Sequence, residues 1–104
     1  MRLTISREDD GADGGRYVAR AAGERAEAEL VYSRPGPDIV SADHTGVPDA
    51  WSGHGVGGAL VDALVADARS EGFRILPRCP FVRARYASHP EWSDVFATPP
   101  DAAR

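Results

Sequence analysis

The strongest periodic pattern in the chain lies between Val56 and Glu71. Apolar residues recur there at spacings of three and four positions, which places them on one stripe of an α-helix. Gly72 follows directly, where glycine commonly ends a helix because it adopts the left-handed conformation without steric cost. The pattern therefore predicts an amphipathic helix over residues 56–71, with a buried stripe formed by Val56, Leu60, Ala63, Leu64 and Ala68.

Two segments with strand character flank this helix. Residues 39–47 are expected to alternate between two faces of a sheet, which predicts that Ala42 and His44 share one face while Thr45 lies on the other. Residues 73–76 form an apolar run that is too short for a helix and ends before a proline. A strand, a helix and a strand in this order predict a βαβ crossover between parallel neighbouring strands.

The sequence before this βαβ crossover predicts a β-hairpin. Aromatic and β-branched residues between Arg16 and Tyr32 surround a break at Gly23, although the alanine, glutamate and arginine there are also compatible with helix. The turn residues Pro35-Gly36-Pro37 end the second strand. Residues 9–15 have no hydrophobic period and indicate a flexible loop.

The C-terminal third predicts shorter elements. A second helix is expected from Pro80 to about Ser88, because proline suits the first turn of a helix. Residues 93–96 are a candidate final strand, and residues 97–104 are expected to be a disordered tail. All elements together predict one α+β domain over residues 1–96, with a mixed sheet, a central βαβ crossover and two main helices.

Composition limits the classes of partner. The 104 residues suit one domain, with 42% hydrophobic and 27% charged residues. Twelve basic residues, all arginine, against sixteen acidic ones give a net charge of -4, so we expect no nucleic-acid partner. The longest apolar stretch is interrupted by Asp62 and Asp67, and residues 1–10 have no secretion-signal core. We therefore expect a cytoplasmic protein without a membrane partner.

Two further features of composition bear on chemistry and source. The single cysteine, Cys79, excludes an internal disulfide and a cysteine-rich metal site. Abundant alanine, glycine and arginine without lysine suggest a bacterial source.

A glycine-rich turn immediately precedes the predicted helix. It reads Gly53-His54-Gly55-Val56-Gly57-Gly58. Glycine lets a ligand approach the backbone closely, and the free N–H groups at the start of a helix attract phosphate. The turn is therefore a candidate pyrophosphate site, although its glycines are also compatible with tight packing alone.

Three phosphate-binding patterns compete for this turn. A P-loop requires lysine and then serine or threonine after the last glycine, where Ala59-Leu60 stands. The dinucleotide fingerprint fits Gly53, Gly55 and Gly58, but the following strand has no acidic residue for a ribose, and the chain is too short for two mononucleotide-binding halves. The acetyltransferase pattern, Arg or Gln-x-x-Gly-x-Gly or Ala, fits Gly55-Val56-Gly57 and needs neither lysine nor a metal.

Four motifs in the same order resemble those of the small YjdJ-like GNAT N-acetyltransferases. They are His44-Thr45-Gly46-Val47-Pro48, Gly53-His54-Gly55-Val56-Gly57, Cys79-Pro80-Phe81-Val82 and His89-Pro90-Glu91-Trp92. The resemblance covers roughly residues 38–96 and implies a minimal GNAT fold. In that fold acetyl-CoA lies between two splayed parallel strands, here residues 39–47 and 73–79.

The resemblance also implies which residues hold acetyl-CoA. The pantetheine arm would pair with the backbone from Thr45 to Val47, and the pyrophosphate would lie on the N–H groups from Gly53 to Gly58, including those of His54 and Val56. One position departs from the family pattern, since Ser52 stands where arginine or glutamine is expected. This departure removes a charge-assisted phosphate contact worth about 1–2 kcal/mol, for which His54 would compensate in part.

Two residues are candidates for the transfer chemistry. The acceptor amine must lose a proton, and His44 is either the base that takes it or a structural residue that hydrogen-bonds backbone. Cys79 precedes a helix start, which favours a thiolate, so it is either a covalent acetyl relay or part of the pocket lining. The partner base of Cys79 would be His44 or His89.

The remaining candidates favour structural roles. His89 and Glu91 are expected at the end of the second helix, and Trp51 and Trp92 are expected in the core. The three histidines have no recognisable metal-ligand spacing, so no metal site is expected.

The sequence thus predicts an acetyl-CoA-dependent N-acetyltransferase that acts on a primary amine of a small molecule or a protein. Two alternatives stay open. One is a non-catalytic CoA- or acyl-CoA-binding module, in which the glycine turn binds its ligand without turnover. The other is a cysteine-dependent hydrolase or thioesterase that uses Cys79 with His44.

Overall fold

The structure is a computed structural model that describes residues 1–99, with one five-stranded mixed sheet and two α-helices. The strands are β1 Leu3–Asp9, β2 Gly14–Ala21, β3 Glu27–Gly36, β4 Ile39–Gly46 and β5 Arg74–Pro77. The helices are α1 Val56–Glu71 and α2 Pro80–Ala87, with 3-10 turns at Asp49–Trp51 and Pro90–Asp94. The strands lie in sequence order, antiparallel from β1 to β4 and parallel between β4 and β5. The predicted α+β class and its βαβ crossover are confirmed, and the crossover lies at one edge of the sheet.

Helix α1 has the bounds that the sequence predicts and covers one face of the sheet. It begins after Gly55 and ends at Gly72, and both glycines have positive φ (71° and 82°). Its buried stripe is wider than predicted, because Val61 and Val65 are also buried while Ala63 is only partly so. The apolar residues of α1 and α2 join one core with the inward residues of the sheet. Within residues 1–99, no helix is long and apolar enough to cross a membrane.

The predicted hairpin corresponds to β2 and β3, but strand β1 beside it was not predicted. Leu3 and Ile5 are its inward residues and pack against the core. The next inward position is Arg7, which interrupts the apolar alternation and makes the segment look like a polar terminus. Its guanidinium is accommodated because Nη1 donates to Asp67 at 3.1 Å and to Glu71 at 2.5 Å, both on α1.

The other face of β1–β3 carries a ladder of opposite charges instead of a second layer of helices. Arg16 binds Glu27 at 2.6 Å and Glu29 at 3.0 Å, while Arg20 binds Glu8 at 3.0 Å. The hydrogen bond from Arg20 lowers the pKa of the exposed Glu8 carboxyl. Antiparallel sheets commonly leave one face to solvent in this way. We call this surface the open face, because the helices and the core lie on the opposite side.

Strand β4 contains a β-bulge at Asp43. Val31 of β3 pairs with His44, and Tyr32 pairs with Ala42, so Asp43 has no partner of its own on β3. An extra residue in one strand shifts the alternation of the side chains that follow it and increases the local twist. Residues after the bulge therefore face the opposite way from a regular strand.

The bulge corrects the predicted faces of two candidate residues. Paired residues on adjacent strands point to the same side of a sheet. Thr45 pairs with Leu30, which is fully buried in the core, and His44 pairs with Val31 on the open face. The prediction that His44 shares a face with Ala42 was therefore wrong, as was the prediction that Thr45 lies on the opposite face.

The predicted final strand over residues 93–96 was also wrong for most of its length. Residues up to Asp94 form the second 3-10 turn, and Phe96 alone makes a parallel bridge to Ile75. The Ile75 N–H donates to the Val95 carbonyl at 2.8 Å. The Phe96 ring stacks on Tyr86 with centroids 3.9 Å apart. The segment thus covers the outer side of β5 without forming a regular strand.

Part of the predicted tail is attached to the domain. The Ala97 N–H donates to the Ile75 carbonyl at 2.8 Å, and the Tyr86 hydroxyl donates to the Thr98 carbonyl at 2.6 Å. Residues 100–104 of the predicted tail lie outside the described residues.

Candidate functional site

A gap opens between β4 and β5 where their parallel pairing stops. The ladder joins Ile39–Ala42 to Arg74–Pro77, and the last contact is a hydrogen bond from the Cys79 N–H to the Ala42 carbonyl at 2.8 Å. Pro77 has no N–H, and Pro80 starts α2, so β5 cannot continue the ladder. Residues 44–46 are paired with β3 on one side, and residues 43–46 have no ladder partner on the other side within residues 1–99. An extended ligand can therefore pair with this edge of β4.

Cys79 lies at the closed end of this gap. It occupies the N-cap position of α2 and is buried, with only 4% of its surface exposed. Its Sγ lies 3.4 Å from Oγ1 of Thr45. The two residues meet because the bulge at Asp43 turns Thr45 toward the core face. A hydroxyl that sequence reasoning assigned to the other side therefore contacts the thiol.

The two histidines predicted as partners of Cys79 lie elsewhere. His44 is exposed on the open face, whereas Cys79 is buried among core residues. The Nδ1 of His89 is 2.9 Å from Oε2 of Glu91, and its ring stacks on Trp92 with centroids 4.3 Å apart. The hydrogen bond with His89 lowers the pKa of the Glu91 carboxyl. Within residues 1–99, the side chain that contacts the Cys79 sulfur at hydrogen-bond distance is Thr45, and no histidine does so.

Asp43 is a candidate that sequence reasoning missed. Its carboxylate accepts hydrogen bonds from Ser33 Oγ at 2.7 Å and from Ser41 Oγ at 2.5 Å, and its side chain is exposed. It lies at the bulge, directly after the last β4 residue that pairs with β5. The position of the bulge has no signal in the sequence, so nothing there distinguishes Asp43 from the other strand residues.

The glycine turn begins with two residues in the left-handed conformation. Gly53 has φ 83° and Gly55 has φ 71°, and no atom lies within 4 Å of a Cβ added at either position. Glycine is therefore required at these two positions by the left-handed backbone conformation, which residues with a Cβ rarely adopt. The turn is anchored by Trp51, which is buried and donates from Nε1 to Glu24 at 3.2 Å.

The last two glycines of the turn have a different role, since they lie buried in the first turn of α1 under side chains of α2. A Cβ on Gly57 would come within 2.8 Å of the Phe81 ring, and a Cβ on Gly58 would lie 3.1 Å from the Arg85 Cζ. Close packing, which the sequence left open as an alternative, thus accounts for this pair. The same packing brings Phe81 and Arg85 to the start of α1.

A cavity of about 670 Å³ lies at the glycine turn, next to the start of α1 and to α2. Of the residues predicted to contact the cofactor, Val47, Gly53, Gly55, Val56, Gly57 and Gly58 line it, whereas Thr45 and His54 do not. Ser52, Phe81 and Arg85 also line the cavity, and Trp51 contributes although it belongs to the core, as predicted. Trp92 is also in the core, as predicted. The cavity therefore runs from the end of β4 to the start of α1, as a ligand that follows β4 would require.

Arg85 is the second functional candidate that sequence reasoning missed. It is the one basic residue among those lining the cavity, and its position four residues after Phe81 places both on one side of α2. That spacing, following the Cys-Pro-Phe motif, is the signal that could have identified it. Within residues 1–99, no group of three or more histidine, cysteine or acidic residues could hold a metal ion.

One comparison with known proteins assigns a family. A family model described as GCN5-related N-acetyl-transferase matches residues 16–95, from β2 through the second 3-10 turn. The comparison with curated proteins gives no match.

Proposed function

Because the chain belongs to the GCN5-related N-acetyl-transferase family, we propose that it transfers the acetyl group of acetyl-CoA to a primary amine, as a member of the small YjdJ-like branch. Two observations support the proposal: the gap between β4 and β5, which ends at Cys79, and the cavity under the glycine turn, whose lining begins at Val47 directly after β4. Residues 43–46 offer backbone groups to the pantetheine arm along this gap.

The residues of the cavity fit a pyrophosphate. Free N–H groups at the start of α1 and the helix dipole favour an anion there. Open space surrounds Gly53 and Gly55, so a phosphate can approach the backbone. We therefore assign phosphate binding to the turn from Gly53 to Gly58 and pantetheine binding to the edge from Thr45 to Val47.

Cys79 is our candidate for the acetyl-accepting group, because it lies at the closed end of the gap that the thioester would reach. Its sulfur would attack the acetyl carbonyl, the carbon–sulfur bond to CoA would break, and CoA would leave as a thiol with the proton from Cys79. The acceptor amine would then attack the acetyl-cysteine, forming the amide, and Cys79 would leave as a thiolate.

We assign the acceptor to the open face, because the helices cover the other side of the sheet. His44 is exposed on that face, and it would accept the proton that the amine loses, while the Cys79 thiolate would regain a proton from water. Asp43, held by two serine hydroxyls, would attract a cationic amine. In this assignment Cys79 and His44 act on opposite sides of the gap and in different steps.

A pair of variants tests these roles. Release of free CoA from acetyl-CoA is measured with a panel of primary amines, and intact mass spectrometry follows acetylation of the protein. C79S is expected to abolish both the acetylated protein and the transfer. H44A is expected to retain the acetylated protein and to slow transfer by about 100-fold, which is typical of losing a general base.

Other outcomes identify the alternatives. Transfer by C79S at the wild-type rate would show direct attack by the amine and remove the relay. CoA binding without transfer to any amine would indicate a binding module. Release of acetate at the same rate with and without amines would indicate a thioesterase.

A further inference from the structure

The cavity under the glycine turn has an unusual distribution of charge. Its lining includes two carboxylates, Asp49 and Asp62, and one cation, Arg85. Ser52 supplies only a neutral hydroxyl at the start of the turn. A dianionic group bound here would therefore meet a single full positive charge, and that charge comes from α2 instead of the turn.

The guanidinium of Arg85 lies directly against the start of α1. The position of a Cβ on Gly58 is 3.1 Å from Cζ of Arg85, 3.2 Å from Nη2 and 3.3 Å from Nη1. On its other side Cζ lies 5.9 Å from the centroid of the Trp92 ring. The guanidinium is thus held beside the free N–H groups at the helix start, where an anion would accept hydrogen bonds from the guanidinium and from the backbone.

Most donors of Arg85 have no strong partner. Its Nε is buried and has no hydrogen-bond partner within residues 1–99. Its one ion pair joins Nη2 to Oδ1 of Asp62 at 3.4 Å, and the Asp62 side chain is 60% exposed. A long ion pair to an exposed carboxylate contributes little. The planar fork of an arginine matches two phosphate oxygens at once, so a phosphate would bind Nη1 and Nη2, which within residues 1–99 have only the long pair to Asp62.

We propose that Arg85 binds the pyrophosphate of CoA and supplies the cationic contact that Ser52 does not provide. The inference rests on the proposed function, because it takes CoA as the ligand of the cavity. In this assignment Gly58 leaves room for the Arg85 guanidinium, because a larger residue would displace it from the start of α1. Phosphate binding is then shared between the turn and α2.

Calorimetric titration of the full chain with CoA and with dephospho-CoA, which lacks the 3′-phosphate, tests the assignment. R85Q is expected to weaken both ligands about tenfold or more, the usual effect of a lost charged hydrogen bond. It should also reduce the dependence of affinity on salt, which a purely structural role would not do. R85K should recover part of the affinity, because it keeps the charge without the planar fork.

R69Q is the matched control. Arg69 is a partly exposed arginine that pairs with Asp94 at 3.0 Å, and it does not line the cavity, so CoA affinity should not change. Thermal unfolding without ligand reports whether R85Q folds. If R85Q does not fold, R85K is the test variant. The inference then requires that R85K binds CoA several-fold more weakly than the wild type.

Three results would overturn the inference. Equal affinities of wild type and R85Q would exclude a contact between Arg85 and CoA while leaving the proposed function intact. Loss of affinity for CoA but not for dephospho-CoA would assign Arg85 to the 3′-phosphate. Failure of the wild type to bind CoA would overturn the proposed function together with this inference.

Discussion

The polar groups of the antiparallel strands β1–β3 have partners in the structure, whereas several of those in the unit from β4 to α2 do not. In β1–β3, Arg7, Arg16 and Arg20 each bind two or more carboxylates. In the second region, the edge of β4 at residues 43–46 has no ladder partner, and the buried Nε of Arg85 has no acceptor within residues 1–99. The arginines of the first region are therefore paired, Arg7 with α1 and the other two within β1–β3, and this region acts as a scaffold, whereas the second region leaves a strand edge that a ligand can use.

Left-handed glycines occur in both regions and allow the sharpest comparison. Gly11 joins β1 to β2 with φ 70°, and Gly55 precedes α1 with φ 71°. A Cβ would meet no atom within 4 Å at either position. The two sites thus share nearly the same φ and the same open space for a Cβ, so substitution by alanine should impose a similar backbone strain on each.

We expect the largest effect from G55A, with G11A as its control. Each variant should lose about 1–2 kcal/mol of unfolding free energy, the cost of the left-handed conformation for a residue with a Cβ. G55A should also weaken CoA binding about tenfold or more, because the turn can no longer hold its N–H groups in place. Urea unfolding and calorimetric titration measure the two effects. Equal loss of CoA affinity in both variants would contradict the assignment of the turn.

The next largest effect is expected from R7M in the scaffold. Arg7 connects β1 to Asp67 and Glu71 on α1, and its removal leaves both carboxylates without this donor. Because these partners are partly exposed, we expect a loss of about 1 kcal/mol of unfolding free energy. CoA affinity should remain within twofold of the wild type. A large loss of CoA affinity would show that the scaffold and the cavity are coupled.

A smaller effect of opposite sign is expected from D62N. Asp62 lines the cavity and would compete with a bound phosphate for Arg85, so its neutralisation should strengthen CoA binding about threefold. D38N makes the same change of charge at the start of β4 and should leave affinity unchanged. If D62N weakens binding, Asp62 orients Arg85 instead of competing for it.

The smallest effect concerns the pH dependence of the scaffold. Hydrogen bonds from Tyr32 first, and from Arg7, hold the pKa of the Asp9 carboxyl below its usual value. The unfolded chain therefore takes up this proton at a higher pH than the folded chain. The stabilisation is fully present above the unfolded pKa of about 3.9 and is lost as the pH falls through the lower folded value.

Urea unfolding of the wild type and D9N between about pH 5 and pH 2 measures this contribution. The stability of D9N should fall less steeply with acid than that of the wild type. Equal slopes would mean that the Asp9 contacts do not persist in solution.

Sequence reasoning succeeded where one local pattern determines the structure. The stripe of α1, its terminal glycines and the strands on either side all follow from periodicity and turn residues. Strand β1 was missed because the partners that satisfy Arg7 lie on α1, some sixty residues away, as in Arg7–Asp67. A pattern within a few residues cannot report a partner at that distance.

The site was predicted less completely than the fold, for two physical reasons. The bulge at Asp43 depends on how β3 and β4 pair, and it exchanged the faces of His44 and Thr45. Arg85 reaches the cavity only because α2 packs on the glycines of α1. Both features arise from tertiary packing, so the backbone of the glycine turn was predictable while the side chains around it were not.

The central claim is that CoA occupies the gap after Ala42 and the cavity under the glycine turn. The most direct measurement is the change in backbone amide NMR signals of the full chain on titration with CoA. We expect the shifts to concentrate on residues 43–58 and 79–85 and the signals of β1 and β2 to stay unchanged. Shifts centred on the charged ladder of β1–β3, or none at saturating CoA, would contradict it.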